Sequence, residues 1–159
     1  MLKKISVITL HCVKNYGSVL QTYATQKVFE QLGWEAEFVD FWREDLIDDT
    51  YLEYSLKSSR WNRNFLTRII YRLSRRPGIE RSKKIFNGFL ERYIHMTDYK
   101  YYSLKDLKNN PPIADIYCTG SDQVWNSDYN NGILEPFFLE YAPEGKIRIA
   151  FSASFGKTK

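Results

Sequence analysis

Ile5-Ser6-Val7-Ile8-Thr9-Leu10 is an unbroken apolar and β-branched run, the pattern of a strand buried on both faces of a sheet. Asn15-Tyr16-Gly17-Ser18 then supplies turn residues and a helix cap, and Leu20, Tyr23, Ala24, Val28 and Leu32 recur at helical spacing up to a break at Gly33. Glu35-Ala36-Glu37-Phe38-Val39-Asp40-Phe41 reads as a second, partly alternating strand. Strand, helix and strand within about forty residues define a βαβ unit with a right-handed crossover, which commits the chain to an α/β fold with a parallel sheet.

The rest of the chain is fitted to that unit. An acidic stretch, Glu44-Asp45-Leu46-Ile47-Asp48-Asp49, leads into a basic segment. There Trp61, Phe65, Ile69 and Leu73, and separately Phe86, Phe89, Leu90 and Tyr93, predict two amphipathic helices divided by Pro77-Gly78. Residues 44–95 thus read as an acidic linker plus an inserted basic helical pair. A short helix is expected from Ser103 to Lys108, ended by Pro111-Pro112, followed by a strand over Ile113 to Cys118 and a last strand from Ile147 into the small-residue loop Ser152-Ala153-Ser154-Phe155-Gly156. At 159 residues the chain suffices for one domain with a genuine core. A parallel strand feeding such a loop ordinarily leads to a further helix and strand, whereas Lys157-Thr158-Lys159 ends the sequence, so a single incomplete α/β domain over 1–159 is expected.

Chemistry concentrates where strands meet loops. Gly120-Ser121-Asp122-Gln123-Val124-Trp125-Asn126 places a hydroxyl, a carboxylate, two amides and an indole at the carboxyl end of a strand, where open α/β sheets bind ligands. Asp122 can take a proton from, or hydrogen-bond to, a substrate hydroxyl, and Trp125 offers a face on which a sugar ring can stack. The plainer alternative is an Asx turn with Trp125 in the core, and Asn126 carries the same two readings. At the other edge Gly17 precedes a helix whose first N–H groups can receive an anion or a hydroxyl, with Ser18 and Gln21 in the first turn; simple capping by Ser18 is the alternative. His11 is either an acid/base group or a hydrogen-bonded core residue, and His95 has no partner at metal-ligand spacing. No metal site is expected.

Neither GxGxxG nor GxxxxGK[ST] occurs, so nucleotide binding has no motif behind it, and Ser152 and Ser154 lack a nucleophile elbow. Cys12 and Cys118 fit buried, reduced thiols, and Ile5 to Leu10 is too short for a signal-peptide core or a membrane span, which points to the cytoplasm. The 12 tyrosines fit half-buried packing or a recognition surface. Between Lys57 and Lys84 ten basic residues face one acid, a net +9 within a chain of net +4. Such a block is either a solvated helical face or a contact with an anionic surface, and no nucleic-acid motif accompanies it.

Three segments, Asn15-Tyr16-Gly17-Ser18-Val19-Leu20-Gln21-Thr22-Tyr23-Ala24, Gly120 to Asn126, and Ala150-Phe151-Ser152-Ala153-Ser154-Phe155-Gly156, together resemble the polysaccharide pyruvyl transferase family, in the family's order. The resemblance spans Lys3 to Gly156. It implies transfer of the enolpyruvyl carbons of phosphoenolpyruvate onto two hydroxyls of a cell-envelope saccharide as a ketal, with phosphate released and no cofactor. It also implies two Rossmann-like halves of GT-B type with the reaction between them, this chain being the amino-terminal half. The groups that grip phosphoenolpyruvate are then expected on the other half, leaving this chain inactive alone. Asp122 becomes the expected catalytic group, and Asn15, Tyr16, Gly17, Ser18, Gln21, Gly120, Ser121, Gln123, Trp125 and Asn126 the expected acceptor-side residues. A lipid-linked acceptor would place the enzyme at the inner membrane face, held there by residues 57–84. Without the resemblance, the same loops suit a non-catalytic module that binds a sugar or a protein partner.

Overall fold

The computed structural model describes residues 3–43, 46–57 and 59–156. Glu44 and Asp45 of the acidic stretch, the side chains of Asp48 and Asp49, and Lys157-Thr158-Lys159 lie outside the described residues. Strand β1 (Lys3–Ile8), helix α1 (Tyr16–Gln31) and strand β2 (Trp34–Phe41) form the expected βαβ unit, with β1 and β2 parallel in a register from Lys3↔Trp34 to Val7↔Phe38. Helix α1 starts where the Asn15 carboxamide accepts the Ser18 N–H at 2.7 Å and ends at Gly33, whose φ of 82° suits a residue without a side chain.

The five strands run in the order β3-β2-β1-β4-β5, all parallel, with β3 at Met96–Tyr101, β4 at Ile116–Asp122 and β5 at Ile147–Ala153. Alternation along the strands sends Ile5, Val7, Phe38 and Cys118 to one face, where they pack with Phe29 of α1 and Phe86. It sends Ile8, Val39, Phe41 and Tyr117 to the other, against Leu107, Phe137 and Tyr141. Helix α4 (Leu104–Asn109) begins at Ser103, whose hydroxyl caps it, as expected. A 3-10 turn, Glu135–Phe138, precedes the last strand.

Three expectations are corrected. The helical pair is not divided at Pro77-Gly78: α3 runs unbroken from Phe65 to Tyr93 through Pro77, and its partner is α2 (Asp48–Lys57). Pro77 and the neighbouring Leu73 are exposed, so water can serve the carbonyl that loses its N–H partner, and the reciprocal Asn64–Thr67 capping box fixes the amino-terminal half. Strand β3, which sequence reading left unassigned, completes an edge of the sheet with Phe38↔Met96 and Phe41↔Tyr101. Strand β4 begins later and ends later than Ile113 to Cys118, because Gly120↔Phe151 and Asp122↔Ala153 pairing with β5 extends the ladder into the polar motif.

The long helix is tied down at both ends. Near its start Tyr71 donates to the Ser55 hydroxyl at 3.2 Å and Arg72 forks onto Glu53 at 2.9 and 3.0 Å, joining α3 to α2. At its end the Gln26 carboxamide of α1 donates to the Tyr93 carbonyl at 3.1 Å and accepts the His95 N–H at 2.8 Å.

Candidate functional site

Because β1, β4 and β5 are parallel neighbours, their carboxyl ends share one rim, and the three sequence segments meet there. Asn15, not Ser18, caps α1, which leaves the Ser18 hydroxyl to donate to Asp122 Oδ2 at 3.0 Å. Gln21, one turn further, donates to Thr9 Oγ1 at 3.0 Å and accepts from Ser121 Oγ at 2.9 Å, while Thr9 Oγ1 donates to the Ser121 carbonyl at 2.8 Å. Thr9, Gln21 and Ser121 thus close a hydrogen-bonded ring between the β1 edge and the β4 edge, and Ser18–Asp122 lies beside it. Bonds of this kind contribute about 1 kcal/mol each, but removing one partner strands the others, so the ring holds its members as a unit.

Asp122 is half-buried and has φ 134°, a conformation that L-residues rarely adopt and that costs on the order of 1–3 kcal/mol. Its Oδ1 accepts the N–H of the next residue, Gln123, at 2.7 Å, one residue short of the Asx turn of the plainer reading, and its other oxygen faces Ser18 on the rim. The third segment is tied to the same residue: Ser154 N–H donates to the Asp122 carbonyl at 3.0 Å, and Trp125 N–H to the Ser154 carbonyl at 3.1 Å. At Gly156 an added Cβ would stand 2.2 Å from Gln123 Oε1, so the chain there lies directly against the loop.

Trp125 is half-buried, packed against the core on one side. Its indole N–H donates to the Phe137 carbonyl at 3.3 Å, and its ring stacks on Phe138 at 6.1 Å and tilts against Phe155 at 5.4 Å. Phe138 and Phe155 are exposed, so the trio forms an aromatic ledge beside the ring of polar groups. Asn126 is a brace: buried, it donates to Gln123 Oε1 at 3.0 Å and accepts the Tyr129 N–H at 3.2 Å. Tyr16 lies in the first turn of α1 but turns toward α3, with its ring 5.1 Å from Phe86. Gly17 sits inside that first turn rather than ahead of it.

Below the rim lies a buried polar layer that sequence reading assigned only in part. His11 is 1% exposed, and its Nε2 stands 3.2 Å from Asp40 Oδ1, which also accepts from the Trp42 indole; the hydrogen-bonded core reading of His11 is the one realised. Arg43, also buried, donates to the Tyr129 carbonyl at 2.9 Å and to the Asn130 carboxamide, and Asn130 in turn donates to the Val124 carbonyl at 2.8 Å. Arg43 and Asn130 therefore hold the back of the Gly120–Asn126 segment. Burial presses the Tyr129 phenol upward, aided by the nearby Asp122 charge.

Burial alone would raise the Asp40 carboxyl, but the bonds from His11 and Trp42 and the charge of Lys100 outweigh it and hold the group below its ordinary value. Its contribution to stability is therefore complete above the unfolded value of about 3.9 and is lost as pH falls through the lower folded value. Denaturant midpoints followed downward from neutral pH are expected to fall steeply in that acid window, and Asp40→Asn is expected to flatten the curve; a superimposable profile would refute the assignment.

Both cysteines are buried and free, and burial pushes the Cys118 thiol up to about 12, so it is inert as a nucleophile. A concavity of about 210 Å³ between the β1–α1 loop and α3 is lined by Val13, Lys14, Leu46 and Ile79. Burial lowers the Lys14 amine, with the charge of Lys83 adding to it. A larger one of about 660 Å³ lies on the flank of α3, away from the strand ends. Among the described residues no three His, Cys, Asp or Glu side chains cluster as a metal would require, and no helix is long and apolar enough to cross a membrane.

Neither a curated protein nor a solved structure matches the chain. The family of polysaccharide pyruvyl transferases matches it over residues 15–159, a span that opens on the Asn15 cap and takes in the Asp122 loop and the strand and loop that close the rim. With those segments bonded to one another at a single sheet edge, the chain belongs to the polysaccharide pyruvyl transferase family.

Proposed function

We propose that the protein takes part in transfer of the enolpyruvyl unit of phosphoenolpyruvate to two hydroxyls of a saccharide, and that the rim formed by β1, β4 and β5 holds the saccharide. The observation that carries the reading is the bonded set Thr9, Ser18, Gln21, Ser121 and Asp122, which gathers hydroxyls, an amide and a carboxylate at the one edge where the family's segments converge. Vicinal hydroxyls of a sugar need such a mixed donor and acceptor surface, and the Trp125–Phe138–Phe155 ledge supplies the apolar contact that a sugar ring takes.

In this reaction the enol carbon C3 gains a proton and becomes a methyl group. The two sugar oxygens bond to C2, the C2–O bond to phosphate breaks, and the second hydroxyl proton leaves with the phosphate. Asp122 is proposed to accept a proton from the attacking hydroxyl, steadied by Ser18. The ligands of the donor phosphate are proposed to lie on a second α/β half facing this one, in the manner of GT-B enzymes, so that both halves are needed for turnover. Incubation with phosphoenolpyruvate and a panel of envelope saccharides is expected to release phosphate and to add one pyruvate less one water to the sugar, provided the second half is present. Saccharide binding with no phosphate release in any arrangement would favour a non-catalytic binding module.

A further inference from the structure

Helix α3 carries an apolar stripe that the fold does not cover. Leu66, Ile70 and Leu73 recur at four- and three-residue spacing with Phe65 beside them, and Phe65, Leu66, Ile70 and Leu73 are 75, 70, 51 and 65% exposed. Another side of the same helix is the one that packs: Tyr71 is buried and bonds to Ser55 of α2, and Phe86 is buried further along. The stripe then changes chemistry without changing direction. Arg76 and Arg81 stand eleven residues after Phe65 and Ile70, three turns on and at nearly the same azimuth, and both are exposed. One face of α3 is thus apolar in its first half and predominantly basic in its second, where Arg76, Arg81 and Lys84 outnumber the exposed Glu80 that lies among them, within the segment of net +9.

We infer that this face of α3 is a docking surface for an anionic lipid bilayer, lying along the interface with the apolar half sunk among the acyl chains and the arginines at the headgroups. Charge decides between occupants. Two copies packed in parallel through this face would set cation against cation with only Glu80 on each to offset them, and antiparallel packing would set the cations on bare apolar side chains; either leaves an excess of positive charge uncompensated. An anionic bilayer offers acyl chains and negative headgroups together, and arginine reaches outward along its own apolar stem. The inference rests on the exposed face and its charge, and holds whether or not the rim performs pyruvyl transfer.

Flotation of the intact protein with phosphatidylcholine vesicles, with and without phosphatidylglycerol, tests it. The protein is expected to float with the anionic vesicles and to be released by raised salt. The triple variant L66S/I70S/L73S, whose positions are exposed, is expected to keep its circular dichroism and to bind about tenfold more weakly for each apolar side chain removed. The pair R76E/R81E is expected to bind at least about fivefold more weakly per position, because each reversal removes a cation and adds an anion. Equal recovery with neutral and anionic vesicles would overturn the inference. So would a self-associating protein that ignores vesicles and becomes monomeric in the triple variant, since the face would then join copies of the chain.

Discussion

Asp122→Asn is expected to leave the protein folded and to reduce pyruvyl transfer about 10²- to 10⁴-fold, the range over which a positioned acid or base contributes. The substitution is chosen to separate chemistry from architecture. Asparagine keeps an oxygen for the Gln123 N–H, keeps a partner for the Ser18 hydroxyl, and tolerates positive φ better than most residues. What it lacks is the ability to take a proton. Thermal melting is expected to shift little while phosphate release collapses. Ser18→Ala, which removes only the support of the carboxylate, is expected to cost far less, on the order of 1 kcal/mol or about fivefold. Unchanged turnover in D122N would end the proposed role of the carboxylate, and a collapse in melting temperature would assign Asp122 to structure.

Gly120→Ala is expected to destabilise the protein severely. Gly120 has φ 107°, and an added Cβ would stand 2.2 Å from the Phe151 carbonyl oxygen and 3.2 Å from the Ala153 backbone nitrogen. The obstruction is backbone, so it cannot be relieved by turning a side chain: β5 has to move away from β4 at the point where the ladder reaches the rim. The unfavourable φ and the forced separation together cost about 2–6 kcal/mol, a large part of the roughly 5–15 kcal/mol that holds a domain together. Gly88→Ala is the matched control. Gly88 lies within α3 with open space where a Cβ would stand, and alanine there is expected to raise stability by up to about 1 kcal/mol. Chemical denaturation of the two variants should move the midpoint in opposite directions; a mild effect at Gly120 would mean that the two strands are not held as tightly as their pairing indicates.

The βαβ unit was legible because its information is local: apolar runs covered on both faces, a capping segment over Asn15 to Ser18, in which Asn15 and not Ser18 proved to be the cap, and a stop at Gly33. The convergence of three segments on one rim was legible as well, since each follows a parallel strand and parallel strands share a carboxyl edge. Strand β3 was not, because Met96-Thr97-Asp98-Tyr99-Lys100-Tyr101 lies at the sheet edge and buries little beyond Thr97 and Tyr101, so no apolar alternation marks it. The passage of α3 through Pro77 escaped for a different reason: the usual penalty presumes a carbonyl with no other partner, and on a solvated face water supplies one. Within the site, the chemistry of Ser18, Ser121 and Asp122 could be read from residue type at a strand end. Thr9 could not, being one more β-branched residue in a buried run until Gln21 reaches it. Nor could Arg43, whose bond to Asn130 joins residues 87 apart and declares itself only in three dimensions.

Gln26 gives the architecture a mechanical property. By engaging the chain on both sides of the turn from α3 into β3, its single carboxamide fastens α1 to the foot of the long helix. Helix α1 also carries Ser18 and Gln21 at its opposite end, one against Asp122 and the other against Ser121. A torque applied to the far tip of α3 therefore has a stiff route to the carboxylate, with α1 as the connecting rod and Gln26 as the pin.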